Sequence, residues 1–282
     1  MDQILPPGFL TLEGPVDDGD GGLVFADVYG GGVHRLDKQG ALSVLVPKRR
    51  GSGGVHPHAD GGYIVTGRDV SHVKDGQTRI LFTREDLPAP SAGEGAVGGF
   101  NDICCAPDGS ILVGGVRQDG AGERLGGDLI HITAEHVGGS AYGGLSLPNG
   151  LALSPDKTLL FHSDTYNDRI VVSSMVSGRP IRVRDFSTAG TPGHPDGMAI
   201  DAAGHLWIAF HYGGCVAEYA PDGRELSRIE FPVQNTLSVC FGGPGRALLF
   251  VVTNSEPEGE RNARIYRLPA KRPGLAIDPC RI

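Results

Sequence analysis

LPNGLALSPDKTLLFHSDT, residues 147–165, places two short apolar runs on either side of a Pro-Asp-Lys turn. Short apolar runs joined by turn residues are typical of an antiparallel β-hairpin. The same turn, followed by a mostly apolar run, occurs six times along the chain. The copies are GDGGLVFAD (19–27), ADGGYIVTG (59–67), PDGSILVGG (107–115), PDKTLLFHS (155–163), AAGHLWIAF (202–210) and GPGRALLFV (243–251). Their third residues are separated by 40, 48, 48, 47 and 41 positions, a spacing typical of propeller blades.

These units predict an all-β, six-bladed β-propeller formed by one domain, residues 1–282. Each unit contains a further strand-like piece, and the sequence shows no convincing 3.6-residue period of a helix. We therefore expect four antiparallel strands in each blade. The last unit is one strand short, and the N-terminal run GFLTLE (8–13) is predicted to supply that strand and close the ring. Two separate β-domains are the alternative, but no linker-like break interrupts the chain.

Composition narrows the class of partner. The 282 residues include 45 glycines and 20 prolines, which suits many tight turns, and the net charge is −8 without a basic run. Nucleic acid is therefore not expected as a partner. The N-terminal segment lacks the basic and apolar regions of a signal peptide, and no apolar stretch is long enough to span a bilayer. We expect a cytoplasmic monomer or small homo-oligomer with no membrane partner.

The cysteines and histidines give a weaker signal. Five cysteines are an odd number and lack the paired spacing of a metal site. The preferred interpretation is five small, buried, reduced thiols. The motif HPH, residues 56–58, suggests zinc but lacks partners at standard spacing.

The position eight residues before each turn, where the inner strand of a blade is predicted to begin, is polar in four of six units. Equivalent positions of successive blades converge on the propeller axis, where buried carboxylates need a counter-charge. Glu13, Asn149 and Asp196 offer oxygen ligands for one divalent ion, namely Ca²⁺, Mg²⁺ or Mn²⁺, with Zn²⁺ and Fe²⁺ not excluded. Strand caps and Asn-Gly or Asp-Gly turns are the alternative explanation. The six positions are Glu13, Gly53, Asn101, Asn149, Asp196 and Leu237.

The far ends of the hairpins supply further candidates, because the partner of each inner strand ends at the mouth where the inner strand begins. Arg68 is a candidate for gripping a substrate carboxylate or ring oxygen with its fork of donors. His211 is a candidate acid or base. Solvated loop positions and hydrogen bonds between blades are the alternative for each. The residues at these ends are Arg68, Arg117, Asp164, His211 and Tyr212.

Four stretches carry motifs that occur together in one known family: EGPVDDGDGGLVFADVYGGGVHRLD (13–37), FNDICCAPDGSILVGG (100–115), PNGLALSPDK (148–157) and PDGMAIDAAGHLWIA (195–209). They resemble senescence marker protein (regucalcin), gluconolactonase and luciferin-regenerating enzyme. The resemblance implies a six-bladed propeller with one divalent metal in its axial channel. The family's metal motifs fall on Glu13, Asn149 and Asp196. Its substrate asparagine corresponds to Asn101, and its substrate glutamate to Glu123.

The chain departs from the family pattern at three places. VDD follows the E-G-P motif where the family usually has a tryptophan, Ile103 replaces the glycine of N-D-G, and Gly99 stands where an arginine often contacts substrate. Metal binding is therefore expected to transfer more safely than sugar specificity.

The resemblance implies hydrolysis of a sugar lactone or a related cyclic ester, with the metal stabilising the oxyanion and Asp196 as the expected base. Asn101 would hold a water or a substrate hydroxyl, and Glu123 another hydroxyl. Three other activities use the same ligands: phosphotriester hydrolysis, a sugar-acid lyase or dehydratase reaction, and calcium binding without catalysis. A protein-binding propeller is disfavoured, because the sequence lacks W-D and kelch-like repeats.

Overall fold

The computed structural model describes residues 1–91, 93–135 and 137–282, which form six four-stranded antiparallel sheets. The short strand β1 (Asp2–Gln3) precedes them. Blade 1 contains β2 (Leu12–Asp17), β3 (Leu23–Asp27), β4 (Val33–Leu36) and β5 (Leu42–Val46); blade 2 contains β6 (Val55–Pro57), β7 (Tyr63–Val65), β8 (Asp69–Lys74) and β9 (Gln77–Thr83); blade 3 contains β10 (Ala96–Cys105), β11 (Ile111–Gln118), β12 (Arg124–Ile132) and β13 (Gly138–Leu145). Blade 4 contains β14 (Pro148–Leu153), β15 (Leu159–Asp164), β16 (Arg169–Val176) and β17 (Arg179–Ser187); blade 5 contains β18 (His194–Ile200), β19 (Leu206–His211), β20 (Cys215–Tyr219) and β21 (Glu225–Glu230); blade 6 contains β22 (Thr236–Gly242), β23 (Leu248–Thr253) and β24 (Ile265–Pro269).

The inner strands of the six blades contact one another in a closed cycle: β2, β6, β10, β14, β18, β22 and again β2. The prediction of a six-bladed propeller with four-stranded blades is therefore confirmed. We call the end of the axis where the inner strands begin the upper end, and the end where they finish the lower end. Three short 3-10 helices, Arg84–Asp86, Thr165–Asn167 and Pro244–Arg246, lie in connections. No helix of the described residues combines the length and apolarity needed to cross a membrane.

The six hairpin turns used to find the repeat have the same backbone conformation. The third residue of every turn lies in the left-handed region, with φ between 59° and 93°. Five of these residues are glycines, for which this conformation carries no steric penalty. The sixth is Lys157, with φ 59°. The spacing read from the sequence therefore marks one structural position in each blade.

Apolar packing between neighbouring blades holds the ring together. Six clusters of buried side chains each lie between two adjacent blades. Phe82 of blade 2 meets Phe100 of blade 3 edge to face, with ring centroids 6.0 Å apart, and Trp207 meets Phe241 in the same way at 6.2 Å. Burying each such side chain contributes about 2–3 kcal/mol. Because every blade packs on two neighbours, the inner strands are held at fixed distances from the axis.

The N-terminal strand that completes blade 6 is β1, so the assignment of residues 8–13 to this role was wrong. Asp2 pairs with Arg267 and Gln3 with Tyr266 of β24. Pro6 and Pro7 have no backbone N–H and cannot extend this ladder. The end of the GFLTLE run instead enters β2, the inner strand of blade 1.

The C-terminal tail, residues 270–282, runs across the lower end of the axis. Its backbone is bound to four blades: Ala202 N–H donates to the Pro273 carbonyl (2.8 Å), Gly274 N–H to Arg246 (3.0 Å), Cys280 N–H to Pro57 (2.9 Å) and Arg281 N–H to Gly109 (2.9 Å). Residues 275–278 line an axial cavity of about 340 Å³ together with the inner strands. The tail thus covers the lower end of the channel.

Candidate metal and substrate site

A β-bulge lies at the upper end of five of the six inner strands. The ladder register shifts between Glu13 and Val16, between Phe100 and Ile103, between Pro148 and Leu151, between Pro195 and Met198, and between Thr236 and Ser238. A bulge interrupts the alternation of side chains and turns selected ones in a new direction. These bulges place the predicted polar positions next to the axis.

Small residues directly after the ring positions allow neighbouring inner strands to approach closely. Gly14 has φ 55°, and a Cβ atom at this position would lie 2.7 Å from the backbone nitrogen of Val55 in the next blade. Gly54, Gly150 and Gly197 are equally close to the following inner strand. Any larger residue at these four positions would push the strands apart. The glycines therefore set the narrow diameter that brings the polar side chains together.

Hydrogen bonds orient the two carboxamides of the ring. Asn149 Nδ2 donates to Thr165 Oγ1 (2.8 Å), so its Oδ1 atom is left facing Asn101. Asn101 Nδ2 donates both to Asn149 Oδ1 and to the Pro148 carbonyl (2.9 Å). Asn149 is buried and Asn101 half-buried. The amide planes are thus fixed by protein contacts before any ligand binds.

The carboxylates of the ring have oxygens without partners. Glu13 Oε2 and Asp196 Oδ1 are sealed from solvent and accept no hydrogen bond from any described residue. An unpaired, desolvated carboxylate oxygen is unfavourable by several kcal/mol. Carboxylate oxygens such as these, and the side-chain carbonyl oxygen of Asn149, are the hard donors that a divalent cation prefers.

The pKa values of the acidic residues are raised by burial and by their mutual repulsion. Burial, and then the charges of Asp196 and Asp102, raise the pKa of Glu13 well above its ordinary value. Burial, and then the charge of Asp102, raise the pKa of Asp196 in the same way. Burial raises the pKa of Asp102 to about 7. The three carboxyl groups therefore repel one another, and a bound cation would relieve that repulsion.

Asp102 is a member of this acidic group that the sequence analysis missed. The position after each ring residue is occupied by Gly14, Gly54, Asp102, Gly150, Gly197 and Ser238. The repeat alignment contained this signal, since a carboxylate stands where four blades have glycine. Asp102 is buried and lines the axial cavity below the ring.

Three other predicted residues, Arg68, Glu123 and His211, have their contacts with residues outside the ring. The side chain of Arg68 is 86% exposed and lies 3.6 Å from Asp69. Glu123 is exposed in the turn between β11 and β12, where its N–H donates to Asp119 (2.9 Å). His211 is half-buried and stacks on Tyr212 at 3.9 Å. Burial, and then the charge of His194, lower the pKa of His211 to about 4.

Two of the hairpin-end candidates are engaged in structural pairs. Arg117 forms a two-pronged ion pair with Asp128 and donates to the Gly95 carbonyl (2.7 Å). Asp164 is fully buried and accepts hydrogen bonds from Ser146 and Arg169. Both residues therefore have a structural role, in hydrogen bonds between segments of the propeller, as the alternative explanation predicted.

A second acidic group, Asp201 with Glu218 and His205, also has the geometry of a metal site. Its oxygens are already occupied, because Arg272 Nε donates to Asp201 (2.7 Å) and Lys271 Nζ donates to Glu218 (3.0 Å). Arg272 also pairs with Glu218. This group is an ion-pair network and leaves no room for a cation.

The ring and the blades together define a class: six-bladed propellers with an oxygen-donor site on the axis. The chain belongs to the SMP-30/Gluconolactonase/LRE-like family, whose model matches residues 11–255. The family resemblance drawn from the sequence is thus confirmed.

Known relatives cover most of the chain. It is 30% identical over 280 residues to pentonolactonase XacC of Haloferax volcanii, covering 93% of this chain and 91% of the relative. It is 32% identical over 240 residues to a 6-deoxy-6-sulfogluconolactonase of Pseudomonas putida, covering 83% and 79%. A solved luciferin-regenerating enzyme superposes with a TM-score of 0.83 at 21% identity, covering 98% of this chain and 97% of that one. The solved structure supports the fold alone.

Proposed function

We propose that this protein is a divalent-metal-dependent hydrolase of sugar lactones. The observation that carries the proposal is the pair of sealed carboxylate oxygens, on Glu13 and Asp196, that have no partner among the described residues. Two relatives with about 30% identity are named as lactonases of sugar acids, which supports the same reaction class. The fold alone hosts several chemistries and carries no argument here.

The donor set fits a hard divalent ion. Glu13, Asn149 and Asp196 would hold the ion, two charges balancing two charges, while three protein ligands leave positions for water and substrate. When bound, the ion supplies Lewis-acid polarisation of the lactone carbonyl. Ca²⁺, Mg²⁺, Mn²⁺, Zn²⁺ and Fe²⁺ are all compatible with these ligands.

Two residues of the ring are proposed to carry out proton transfer and to position the water or substrate. Asp196 accepts the proton of the attacking water, using the carboxylate oxygen that is not needed as a ligand. Asn101, fixed by its bonds to Asn149 and the Pro148 carbonyl, holds the water or a substrate hydroxyl in place. Because both amides are oriented before substrate arrives, little reorganisation is needed during the reaction.

The rim residues are proposed to select the substrate. A Cβ atom on Gly99 would lie 3.3 Å from the Gly67 carbonyl oxygen, so the backbone just before Arg68 lies close to Gly99. Arg68 is therefore proposed to take the role of the family's arginine and to grip an acidic or oxygen-rich lactone. Glu123 binds a substrate hydroxyl. Burial, and then the charge of His194, lower the pKa of His211 to about 4, so this ring is neutral at pH 7 and is proposed to bind substrate rather than to act as the base.

The test is proton release during hydrolysis of a panel of aldonolactones near pH 7. Metal-stripped protein is compared with protein restored with Mn²⁺, Ca²⁺, Mg²⁺, Zn²⁺ or Fe²⁺, beside Asn149→Ala and a Glu218→Gln control at the saturated ion-pair network. Turnover that needs metal, disappears in Asn149→Ala and persists in Glu218→Gln is expected. Hydrolysis by stripped protein at the full rate would overturn the metal mechanism.

The same assay separates the alternatives. If metal binds and no lactone is hydrolysed, phosphotriesters and sugar-acid dehydration substrates are tested with the same variants. Failure of all three substrate classes together with retained Ca²⁺ binding would identify a calcium-binding propeller and overturn the enzymatic proposal.

A further inference from the structure

Three residues that the proposed function does not use meet at the lower end of the axial cavity. His56, Cys105 and Cys280 place one ring nitrogen and two sulfur atoms within 4.8 Å of one another. All three side chains are buried. They come from β6, from the last residue of β10 and from the C-terminal tail. Because the three segments are far apart in sequence, no standard metal-binding spacing reveals them.

Backbone hydrogen bonds fix the segments that carry these side chains. Cys280 N–H donates to the Pro57 carbonyl (2.9 Å), and Ala59 N–H donates to the Cys280 carbonyl (2.8 Å), so the tail lies along β6. The Cys105 thiol donates to the Pro279 carbonyl at 3.5 Å. The cluster is therefore part of the folded framework.

One nitrogen of the His56 ring is held by a backbone hydrogen bond. Its Nε2 atom lies 2.8 Å from the Asp278 carbonyl oxygen. A carbonyl can only accept, so Nε2 carries the hydrogen and Nδ1 carries the lone pair. Histidine ligands commonly donate their second N–H to a backbone carbonyl in this way. Burial lowers the pKa of His56 to about 4, so the ring is neutral at pH 7.

We propose that His56, Cys105 and Cys280 bind one zinc-like divalent ion and thereby fasten the C-terminal tail across the axial cavity. Two thiolates and an imidazole are ligands that Zn²⁺ prefers to the hard oxygen donors of the upper ring. Zn–S bonds of about 2.3 Å and Zn–N bonds of about 2.0–2.1 Å separate ligand atoms by roughly 3.5–3.8 Å. Since the ligand atoms lie within 4.8 Å of one another, each separation shortens by at most about 1.3 Å. The fourth position faces the cavity, which His56, Cys105 and Asp278 all line.

Charge balances at this site. The hydrogen bond with Cys105, and then burial, raise the pKa of the Cys280 thiol, so this thiol is neutral in the metal-free site. On binding, each thiol releases one proton to solvent and forms one metal–sulfur bond, and the two thiolate charges neutralise the ion. Affinity therefore increases with pH, and two protons are released per ion.

The experiment uses Co²⁺ as the probe, added to reduced, metal-stripped full-length protein. Thiolate ligands give Co²⁺ an intense near-ultraviolet charge-transfer absorption, whereas the oxygen donors of the upper ring do not. We expect one equivalent of this absorption in the wild type and in Asp196→Asn, its loss in Cys280→Ser, and its retention in Cys215→Ala, a buried thiol elsewhere in blade 5. Asp196→Asn keeps this result distinct from the fate of the proposed lactonase site.

Three results would overturn the proposal. The first is the absence of thiolate absorption at stoichiometric Co²⁺, or equal absorption in Cys280→Ser and the wild type. The second is a count of three free thiols, instead of five, in denatured protein purified without reductant, since a Cys105–Cys280 disulfide would then occupy the place of the ion. The third concerns thermal stability: Zn²⁺ should raise the melting temperature of Cys215→Ala by more than that of Cys280→Ser, in which only the upper ring can bind the ion, and an equal rise in both would contradict the proposal.

Discussion

Two groups of acidic residues are largely removed from water. One lies at the upper end of the axis and consists of Glu13, Asp102 and Asp196; the other lies at the lower face and consists of Asp201 and Glu218. At the lower face every acid has a basic partner, and hydrogen bonds from Ser227, Lys271, His205 and Arg272 outweigh burial and lower the pKa of Glu218 to about 2.

At the upper end no arginine or lysine pairs with the acids in the described structure, and the pKa values of all three acids are raised. Acidic residues that stabilise a fold bring their own counter-ions. Buried acids without counter-ions are held in an unfavourable arrangement by the rest of the fold, and a bound cation can relieve their repulsion.

The largest expected effect comes from exchanging a carboxylate for a carboxamide in each group. Asp196→Asn removes one of the two negative charges proposed to bind the metal, and it removes the proposed base. Lactone hydrolysis should therefore fall about 10³-fold or more. Glu218→Gln makes the same chemical change where no ligand is expected, and its rate per folded molecule should equal that of the wild type. Initial rates under saturating metal measure both. Similar losses in the two variants would show that the acids at the upper end have no special role.

The pH dependence of stability should have opposite signs at the two ends. Upper-end carboxyls have raised pKa values in the folded state, so folding is favoured by their protonation, and metal-free protein should become more stable as pH falls from 8 toward 5. For Asp102 the rise from about 3.9 to about 7 corresponds to at most about 4 kcal/mol. Glu218 has a lowered pKa, so its contribution is present above about pH 4.5 and is lost as pH falls toward 2.

Urea denaturation of metal-free protein between pH 3 and pH 8 measures both limbs. Asp102→Asn should flatten the limb above pH 5, and Glu218→Gln the acid limb. Stability that is constant from pH 8 to pH 5 in the wild type would contradict the repulsion inferred for the ring.

A hard divalent ion should stabilise the upper end alone. At an ion concentration 100 times the dissociation constant, the free energy of unfolding should rise by about 2.7 kcal/mol. Mn²⁺ or Ca²⁺ is used, because these hard ions avoid the sulfur ligands near Cys280. Glu13→Gln should lose most of the rise in melting temperature, and Glu218→Gln should keep it. An undiminished rise in Glu13→Gln would place the ion elsewhere.

The repeat carried most of the predictable information. Each turn has a left-handed residue, and the ring position lies eight residues earlier, although the inner strands themselves begin 6 to 13 residues before the turn. Local rules therefore located both the blades and the four polar ring positions Glu13, Asn101, Asn149 and Asp196. Periodicity works here because each blade repeats the same local geometry.

Features that depend on one non-repeated segment were out of reach. The ring is closed by the pairing of β1 with β24, two segments outside the repeat, and Pro6 and Pro7 end that ladder early. The partners of Asp201 and Glu218 come from the C-terminal tail, whose path no repeat describes. Asp102 was visible in the alignment, but its meaning depends on burial and on nearby charges, which only three-dimensional distances supply.

The smallest effect tests whether the lower network is structural. Arg272→Met leaves Asp201 and Glu218 with fewer partners, and the free energy of unfolding should fall by about 2 kcal/mol, because Lys271 and Ser227 still donate to Glu218 and Arg272 is partly solvated. Arg68→Met removes an 86% exposed arginine and should change stability by less than about 0.5 kcal/mol. Urea denaturation at pH 7 compares the two. Equal effects would mean that the lower acids, like the upper ones, do not depend on their basic neighbours, and the contrast between the two ends would no longer hold.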